Sequence, residues 1–264
     1  MPTQAENLLG GVPFTRRATN RLVLCSVAAT AAVFCATPAF ADLVLETETA
    51  RWGKEGTGTI GNAIQFEKDP DGTTVLTLTA FEYAWSDRVK LLLEPFFYEK
   101  QFPKIGDNVS GLGDTEFTIS YLAFTETSDL PAVVFAAKVK IPTGDAPDIS
   151  TGKTDYTGYL ILGKKIGNVD FNANLAFETF GEPAGETIHD QIIFDLSAEY
   201  PVSQDWTLYA EIFGDTIPAN MRDGTVSFAV GAEYQLTEHV NTFVSVGDDT
   251  DDLKAARFGV NYMW

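Results

Sequence analysis

The sequence predicts an all-β protein, a transmembrane antiparallel up-and-down β-barrel of about twelve strands. Three features lead to this prediction: a secretory leader, segments of about ten residues in which apolar and polar side chains alternate, and short turns that alternate with long polar loops. A tilted strand of this length crosses a bilayer with one face toward lipid and the other toward the lumen.

The first part of the chain has the features of a signal peptide. Three arginines between residues 16 and 21 precede an apolar run at residues 22–36, and Ala39-Phe40-Ala41 follows. The run is shorter than the ~20 residues that a spanning helix needs, and this order is typical of secretory leaders. We therefore expect a signal peptide at residues 1–41 and a barrel domain at residues 42–264.

Composition excludes several classes of protein. The chain has 18 basic and 37 acidic residues, and removing the three leader arginines and Glu6 leaves 15 against 36, a net charge of −21. Such a chain would be repelled by nucleic acid. A hydrophobic content of 45% does not fit disorder. Since Cys25 and Cys35 both lie in the leader, the mature chain has neither a disulfide scaffold nor a cysteine-ligated metal, and we expect no cofactor.

Alternation with a period of two recurs along the mature chain. In the segment 191–200, Leu196 falls on an apolar face and Glu199 on the opposite, polar face. Four other segments alternate as clearly: Ala132–Ile141, Val169–Phe180, Thr225–Leu236 and Ala256–Trp264. With a first strand near Gly61–Glu67 and a tight turn at Asp69–Gly72, the count is about twelve, an even number as bacterial barrels have.

The connections between these segments alternate in length. Short turns are expected at Ser86-Asp87, Ser128–Pro131, Gly167-Asn168, Ser203–Asp205 and Thr237–His239. Longer polar loops are expected at Gln101–Gly113, Pro142–Asp155, Gly181–Asp190, Asp215–Gly224 and Gly247–Lys254. These short turns fall on the side of both termini, which is the periplasmic side of an outer-membrane barrel, and the long loops fall outside.

A soluble β-sandwich is the main structural alternative. Its strands also alternate, but ordinary strands average ~5–6 residues. Aromatic residues near strand ends, such as Tyr83, Trp85 and Trp206, match the girdles of membrane barrels. The chain also ends on an alternating strand with Tyr262 and Trp264, similar to the signal read by the barrel-assembly machinery, although phenylalanine is usual there. We therefore expect the outer membrane of a Gram-negative cell, with its lipid, its lipopolysaccharide and that machinery as partners.

Residues 42–60 fit the barrel pattern less well. Leu43–Ala50 has the character of a strand, but Gly53–Gly61 is rich in glycine. Three interpretations stay open: a periplasmic extension, a plug-like segment, or part of the first strand.

If the apolar faces contact lipid, the opposite faces line the lumen. The predicted lumen residues are Glu82, Glu94, Glu116, Lys138, Lys140, Asn172, Asn174, Glu178, Asp195, Glu199, Glu211, Glu233, Arg257 and Asn261. Burying such groups singly is costly, so they must pair across strands or be hydrated. One interpretation is a polar path for small solutes, which makes the protein a narrow, porin-like channel or transporter. The other is a salt-bridged interior that only stabilises the envelope.

Catalysis and metal binding are two further hypotheses. An outer-membrane lipid hydrolase needs a serine and a histidine on one strand surface, whereas His189 falls in an outer loop and His239 in a periplasmic turn. The run Asp248–Asp252 suits calcium or magnesium but lacks the glycine and final glutamate of an EF-hand. We therefore expect no catalytic residue and no metal site.

Two short motifs resemble a known family. Gly111-Leu112-Gly113-Asp114 opens one strand, and Lys140–Asp145 (sequence KIPTGD) ends the next, followed by the loop Ser150–Thr157. This order and spacing resembles the outer-membrane proteins grouped as the "MetA pathway of phenol degradation" family, over about Gly111 to Gly181. The resemblance implies a β-barrel that passes small, often aromatic or hydrophobic, compounds across the outer membrane, and it supplies no catalytic residues.

Overall fold

The computed structural model describes residues 43, 46–51, 53–95, 97–185, 187–216 and 224–264. The predicted leader lies outside these residues. Within the described ranges, no helix is long and apolar enough to cross a membrane. They contain fourteen strands: β1 Gly58–Lys68, β2 Gly72–Ser86, β3 Val89–Glu94, β4 Tyr98–Pro103, β5 Val109–Leu112, β6 Thr115–Phe124, β7 Ala132–Ile141, β8 Asp155–Ile166, β9 Val169–Thr179, β10 Gln191–Pro201, β11 Trp206–Thr216, β12 Val226–Thr237, β13 Val240–Asp249 and β14 Lys254–Met263.

The strands form one closed antiparallel barrel. Each pairs with its neighbours in the wall, and β1 pairs with both β2 and β14. Ile60 of β1 lies between Phe81 of β2 and Tyr262 of β14, so hydrogen bonding continues across the seam between the first and last strands. Closure satisfies the backbone without an exposed edge, as a membrane-spanning sheet requires.

The fourteen strands make twelve wall strands, as the sequence predicted. β3 and β4 both pair with β2, so they form one wall strand, interrupted after Glu94. Pro95 lies at this interruption and has no N–H to donate to the sheet. β5 and β6 are likewise separated only by Gly113 and Asp114. The predicted loop Gln101–Gly113 is therefore wrong in its bounds, because β4 and β5 pair with each other and leave only a short outer turn.

The strand faces follow the alternation of the sequence. In β10, Asp195, Ser197 and Glu199 are buried inside the barrel, whereas Leu196 and Tyr200 are exposed on its outside. Aromatic rings gather near the end at which β1 begins and β14 ends: Trp206 packs on Tyr234 with ring centroids 4.8 Å apart, and Tyr262 stacks on Trp264. An apolar outer wall with aromatic residues near its rim matches a lipid-facing surface.

A substitution on the outer wall tests this assignment. Val230 lies mid-strand in β12, between Ala210 and Val246, and is 50% exposed. We expect Val230→Arg to lower the free energy of unfolding in lipid vesicles by about 2–4 kcal/mol, because an arginine there must enter the hydrocarbon core. Val226→Arg, at the outer end of the same strand, should cost about 0–1 kcal/mol, and Glu233→Gln on the lumen face should cost far less than Val230→Arg. Equal costs at all three positions would contradict the assignment of faces.

Candidate transport path through the barrel lumen

The segment before β1 lies inside the barrel. We define the plug segment as Leu43 together with residues 46–51. The side chains of Leu43, Thr47 and Ala50 are buried, with exposed fractions of 1%, 1% and 6%. Of the three interpretations left open for residues 42–60, this part is plug-like, whereas Gly58–Ile60 belongs to the first strand.

Two polar side chains of the wall hold the plug segment in the manner of a partner strand. The Glu211 carboxylate accepts the backbone N–H groups of Glu46 and Thr47 and the Thr47 hydroxyl, at 2.9–3.0 Å. The Asn172 amide oxygen accepts the Ala50 N–H at 3.1 Å. Three backbone N–H groups of the plug segment are thus bonded by side chains on β11 and β9 and not by a neighbouring strand.

Arginine ion pairs hold the plug segment at two further points. Arg257 of β14 donates to the Leu43 carbonyl at 2.7 Å and to the Glu46 carboxylate at 2.8 Å. At the other end, Arg51 lies 2.5 Å from the Asp170 carboxylate and 3.1 Å from that of Glu199. The plug segment therefore contacts opposite sides of the lumen through non-covalent contacts.

Fourteen residues were predicted to line the lumen, and twelve of them form the candidate site. All twelve are buried inside the barrel. Their exposed fractions lie between 0% and 9%: Glu116, Lys138, Lys140, Asn172, Asn174, Glu178, Asp195, Glu199, Glu211, Glu233, Arg257 and Asn261. Of the two further positions, Glu82 is buried and bound to Lys90 at 2.9 Å, and Glu94 is half-buried.

Most of these groups pair across neighbouring strands. Lys138 of β7 binds Glu116 of β6 at 2.8 Å. On β9 and β10, the Asn172 amide donates to Glu199 at 3.0 Å, and similar amide–carboxylate bonds join Asn174 to Asp195 and Gln191 to Glu178. Cross-strand pairing of this kind offsets the cost of burying charge. By contrast, the described residues offer no hydrogen-bond partner to Glu233 Oε2 or to the Asn261 side chain.

The lumen also has an apolar part that the sequence analysis missed. One buried cluster joins Leu43 of the plug segment to Leu76 and Leu78 of β2 and to Phe243 of β13. A second cluster contains Ala50 with Val134, Ile161 and other wall residues. Period-two alternation could not reveal these positions, because strands such as β2 carry apolar residues on both faces. Asp155, Asp170 and Gln65 were also missed, although each has the strand parity of an inward residue.

The two motif segments, residues 111–114 and 140–145 with the loop that follows, pack on each other at the outer end of the barrel. The Asp114 carboxylate accepts the Gly144 N–H at 2.9 Å and the Ser150 hydroxyl, and Lys140 lies 3.3 Å from it. A Cβ on Gly144 would lie 2.7 Å from the backbone of Gly113, and one on Gly113 would overlap the Phe97 ring. The motifs therefore form one packed unit that folds the loop after β7 inward over the lumen.

A small cavity remains beside the plug segment near the outer loops. Its volume is about 50 Å³, and its polar lining includes Glu46, Gln65, Glu211, Ser245 and Arg257. It lies next to the Arg257–Glu46 ion pair, so the plug segment forms part of its lining.

The two histidines and the acidic run, considered above for catalysis and metal binding, lie away from the lumen. His189 is exposed in the loop between β9 and β10, and His239 is exposed in the turn between β12 and β13, at the opposite end of the barrel. In the acidic run, Asp248 binds Lys254 at 2.6 Å, and Asp249 accepts two backbone N–H groups of its own turn. These carboxylates stabilise the loop.

Comparison with known proteins decides the family. A model of the family described as MetA-pathway of phenol degradation matches residues 54–264. The chain belongs to this family. The match confirms the resemblance seen in the motif segments. It extends that resemblance to all the strands from β1 to β14. No curated protein matches the chain at a significant level.

Solved structures share the fold of this family member. A COG4313 outer membrane channel from Pseudomonas putida F1 is 14% identical, covers 80% of this chain and 96% of its own, and has a TM-score of 0.64. The KdgM porin in complex with disordered oligogalacturonate is 14% identical, covers 77% and 98%, and has a TM-score of 0.54. The shared fold is that of outer-membrane β-barrels, so the predicted location in the outer membrane is confirmed.

Proposed function

We propose that the protein is a narrow outer-membrane channel or transporter for small solutes, including aromatic or hydrophobic ones, and not an enzyme. The observation that carries this proposal is the plug segment. Purely structural barrels of small size fill their interior with wall side chains. Here part of the lumen is instead filled by a peptide segment that is bound only through hydrogen bonds, ion pairs and packing, and the space it occupies is wide enough for a small molecule.

The lining of the lumen supports passage of small molecules. An apolar cluster around Leu76 and Phe243 and the polar rows of β9 and β10 both face the interior. A phenol-like compound has a ring that suits the first surface and a hydroxyl that suits the second. The family name and the printed description of the Pseudomonas putida relative as a channel also support the proposal.

The charge of the lumen supports a preference for cations. Six buried carboxylates form no ion pair within the described ranges: Glu48, Glu99, Glu178, Asp195, Glu211 and Glu233. Lys90, Lys138, Lys140 and Arg257 are each bound to a carboxylate. The lumen therefore has an excess of fixed negative charge, which concentrates cations.

Planar bilayers and vesicles test the proposal. We expect the purified protein to pass small ions with a modest preference for cations, and to speed the entry of small aromatic solutes into vesicles. Replacing Glu116 and Glu233 together by glutamine should reduce the cation preference, measured from the reversal potential in a salt gradient. A protein that neither conducts nor speeds solute entry, yet weakens the envelope when it is deleted, would support the structural alternative. Hydrolysis of lipid esters that depends on His189 or His239 would support an enzyme.

A further inference from the structure

Four lysines lie together on one sector of the outer rim of the barrel. Lys68 ends β1 and Lys254 begins β14, and the two lie directly opposite each other in the strand register, so they share a face. Lys100 lies on β4, which β2 alone separates from β1, and Lys104 directly follows β4. Neighbouring strands are ~4.8 Å apart, so β1 and β4 are about 10 Å apart. We call these four residues the lysine rim.

The lysine rim lies on the lipid-facing side of the wall. Lys68 has the strand parity of Phe66, which is 53% exposed, and Lys100 has that of Phe102. The Lys100 ammonium lies 5.1 Å from the centre of the Phe102 ring, one step nearer the outer end of the strand. A lysine at the edge of an apolar wall keeps its stem against apolar groups and its charge at the level of the lipid head groups.

Most of the charge of the lysine rim is not neutralised by the protein. Within the described residues, Lys254 binds Asp248, and the other three ammonium groups form no ion pair. Lys104 donates to a neutral backbone carbonyl at 2.6 Å. Asp69 and Asp71 lie in the turn after β1, beyond the row of the lysines and on the side away from the bilayer. Since like charges directly opposed on neighbouring strands destabilise a sheet, the lysine rim indicates an anionic partner.

Other sectors of the outer rim have a different character. At the outer ends of β7, β8, β11 and β12, exposed outward positions hold Ile141, Tyr156, Ile212 and Val226. The chain as a whole is strongly acidic, so a group of outward lysines is a local exception. In the outer leaflet of an outer membrane, the anionic groups at this depth are the phosphates of lipopolysaccharide.

We propose that the lysine rim binds the phosphate groups of lipid A, the membrane-embedded part of lipopolysaccharide. Lipid A carries phosphates at both ends of a disaccharide, which suits cations spread over neighbouring strands. Its acyl chains suit the exposed rings of Phe66 and Phe102 beside those cations. Clustered lysines at a membrane surface attract anionic lipids in this way. The lysine rim is on the outer wall and not in the lumen, so this proposal can fail separately from the proposed function.

Thermal unfolding of the purified mature protein in mild detergent tests the site. Bisphosphorylated lipid A should raise the unfolding temperature of the wild type in a saturable manner, and lipid A stripped of its phosphates should not. Lys68→Gln combined with Lys100→Gln should raise the lipid A concentration at half-effect by roughly 25-fold, since each lysine near anionic lipid contributes about fivefold. Without lipid A this variant should unfold at the same temperature as the wild type, because neither lysine forms an ion pair within the described residues.

Lys54→Gln combined with Lys153→Gln is the matched control. It removes the same charge at two exposed lysines outside the lysine rim, and it should respond to lipid A as the wild type does. An unchanged response in the Lys68 and Lys100 variant, an equal loss in the control, or a wild type that does not respond would overturn the proposal. An equal response to inorganic phosphate at the same phosphate concentration would also overturn it, because the lipid part would then contribute nothing.

Discussion

Deleting residues 42–51 behind the leader should raise the single-channel conductance of the protein severalfold. The plug segment occupies the lumen and is bound there by Asn172 of β9, Glu211 of β11 and Arg257 of β14. Its removal exchanges a packed peptide for water, and ions then meet a wider hydrated path. Planar-bilayer recordings of the wild type and the deletion variant measure the effect.

The control for this deletion must separate opening from misfolding. Deletion leaves the Glu211 carboxylate without its partners in the plug segment, so Glu211→Gln should accompany it in a second variant to limit the loss of stability. Thr47→Val removes one hydroxyl bond to Glu211 and leaves both backbone bonds in place, so it should conduct like the wild type. Unchanged conductance in a deletion variant that still shows the heat-modifiable migration of a folded barrel would refute the role of the plug segment.

Replacing Lys138 by methionine should destabilise the barrel by about 3–5 kcal/mol, because it leaves a buried carboxylate without its cation. Lys138 is 5% exposed and binds Glu116 at 2.8 Å. It also lies within electrostatic range of Glu178 on the wall and Glu48 in the plug segment. Equilibrium unfolding in vesicles or detergent measures the loss.

A second substitution identifies the cause of this loss. Adding Glu116→Gln to Lys138→Met removes the stranded charge and should restore a large part of the stability. Lys254→Met breaks an exposed ion pair of similar length with Asp248 and should have little effect. If the double variant were no more stable than Lys138→Met alone, lost packing would be the cause and not unpaired charge.

Alternation in the sequence was sufficient to predict the barrel and the inward faces of its strands. In β7, Lys138 and Lys140 are separated by one residue, and both point into the lumen. Alternation assigns the faces of a strand where one face is apolar and the other polar. A shift of the strand register by one residue would then turn the whole apolar face toward the lumen. Positions such as Asn172 and Glu199 could be assigned in this way.

The same rule could not predict the plug segment or the apolar part of the lumen. Leu43–Ala50 has strand character, but its partners are the side chains of Glu211 and Asn172, which lie more than a hundred residues further along the chain. Leu76 and Leu78 lie in a strand with apolar residues on both faces, so periodicity gives no direction there. The joined strands β3 and β4 appear as separate segments because Pro95 interrupts the ladder.

The position of Arg257 has a consequence for the order of assembly. This residue lies on the last strand, opposite Gln65 of the first, and it binds Gln65, the Leu43 carbonyl and Glu46 together. The contact with Gln65 exists only when β14 has paired with β1, and it fixes the guanidinium beside the plug segment. Because the wall is a continuous ring of hydrogen-bonded strands, the plug segment reaches the lumen through an end of the barrel and not through the wall. The arginine that binds the plug segment thus also lies at the seam that closes the barrel, so the seating of the plug segment is coupled to closure of the wall.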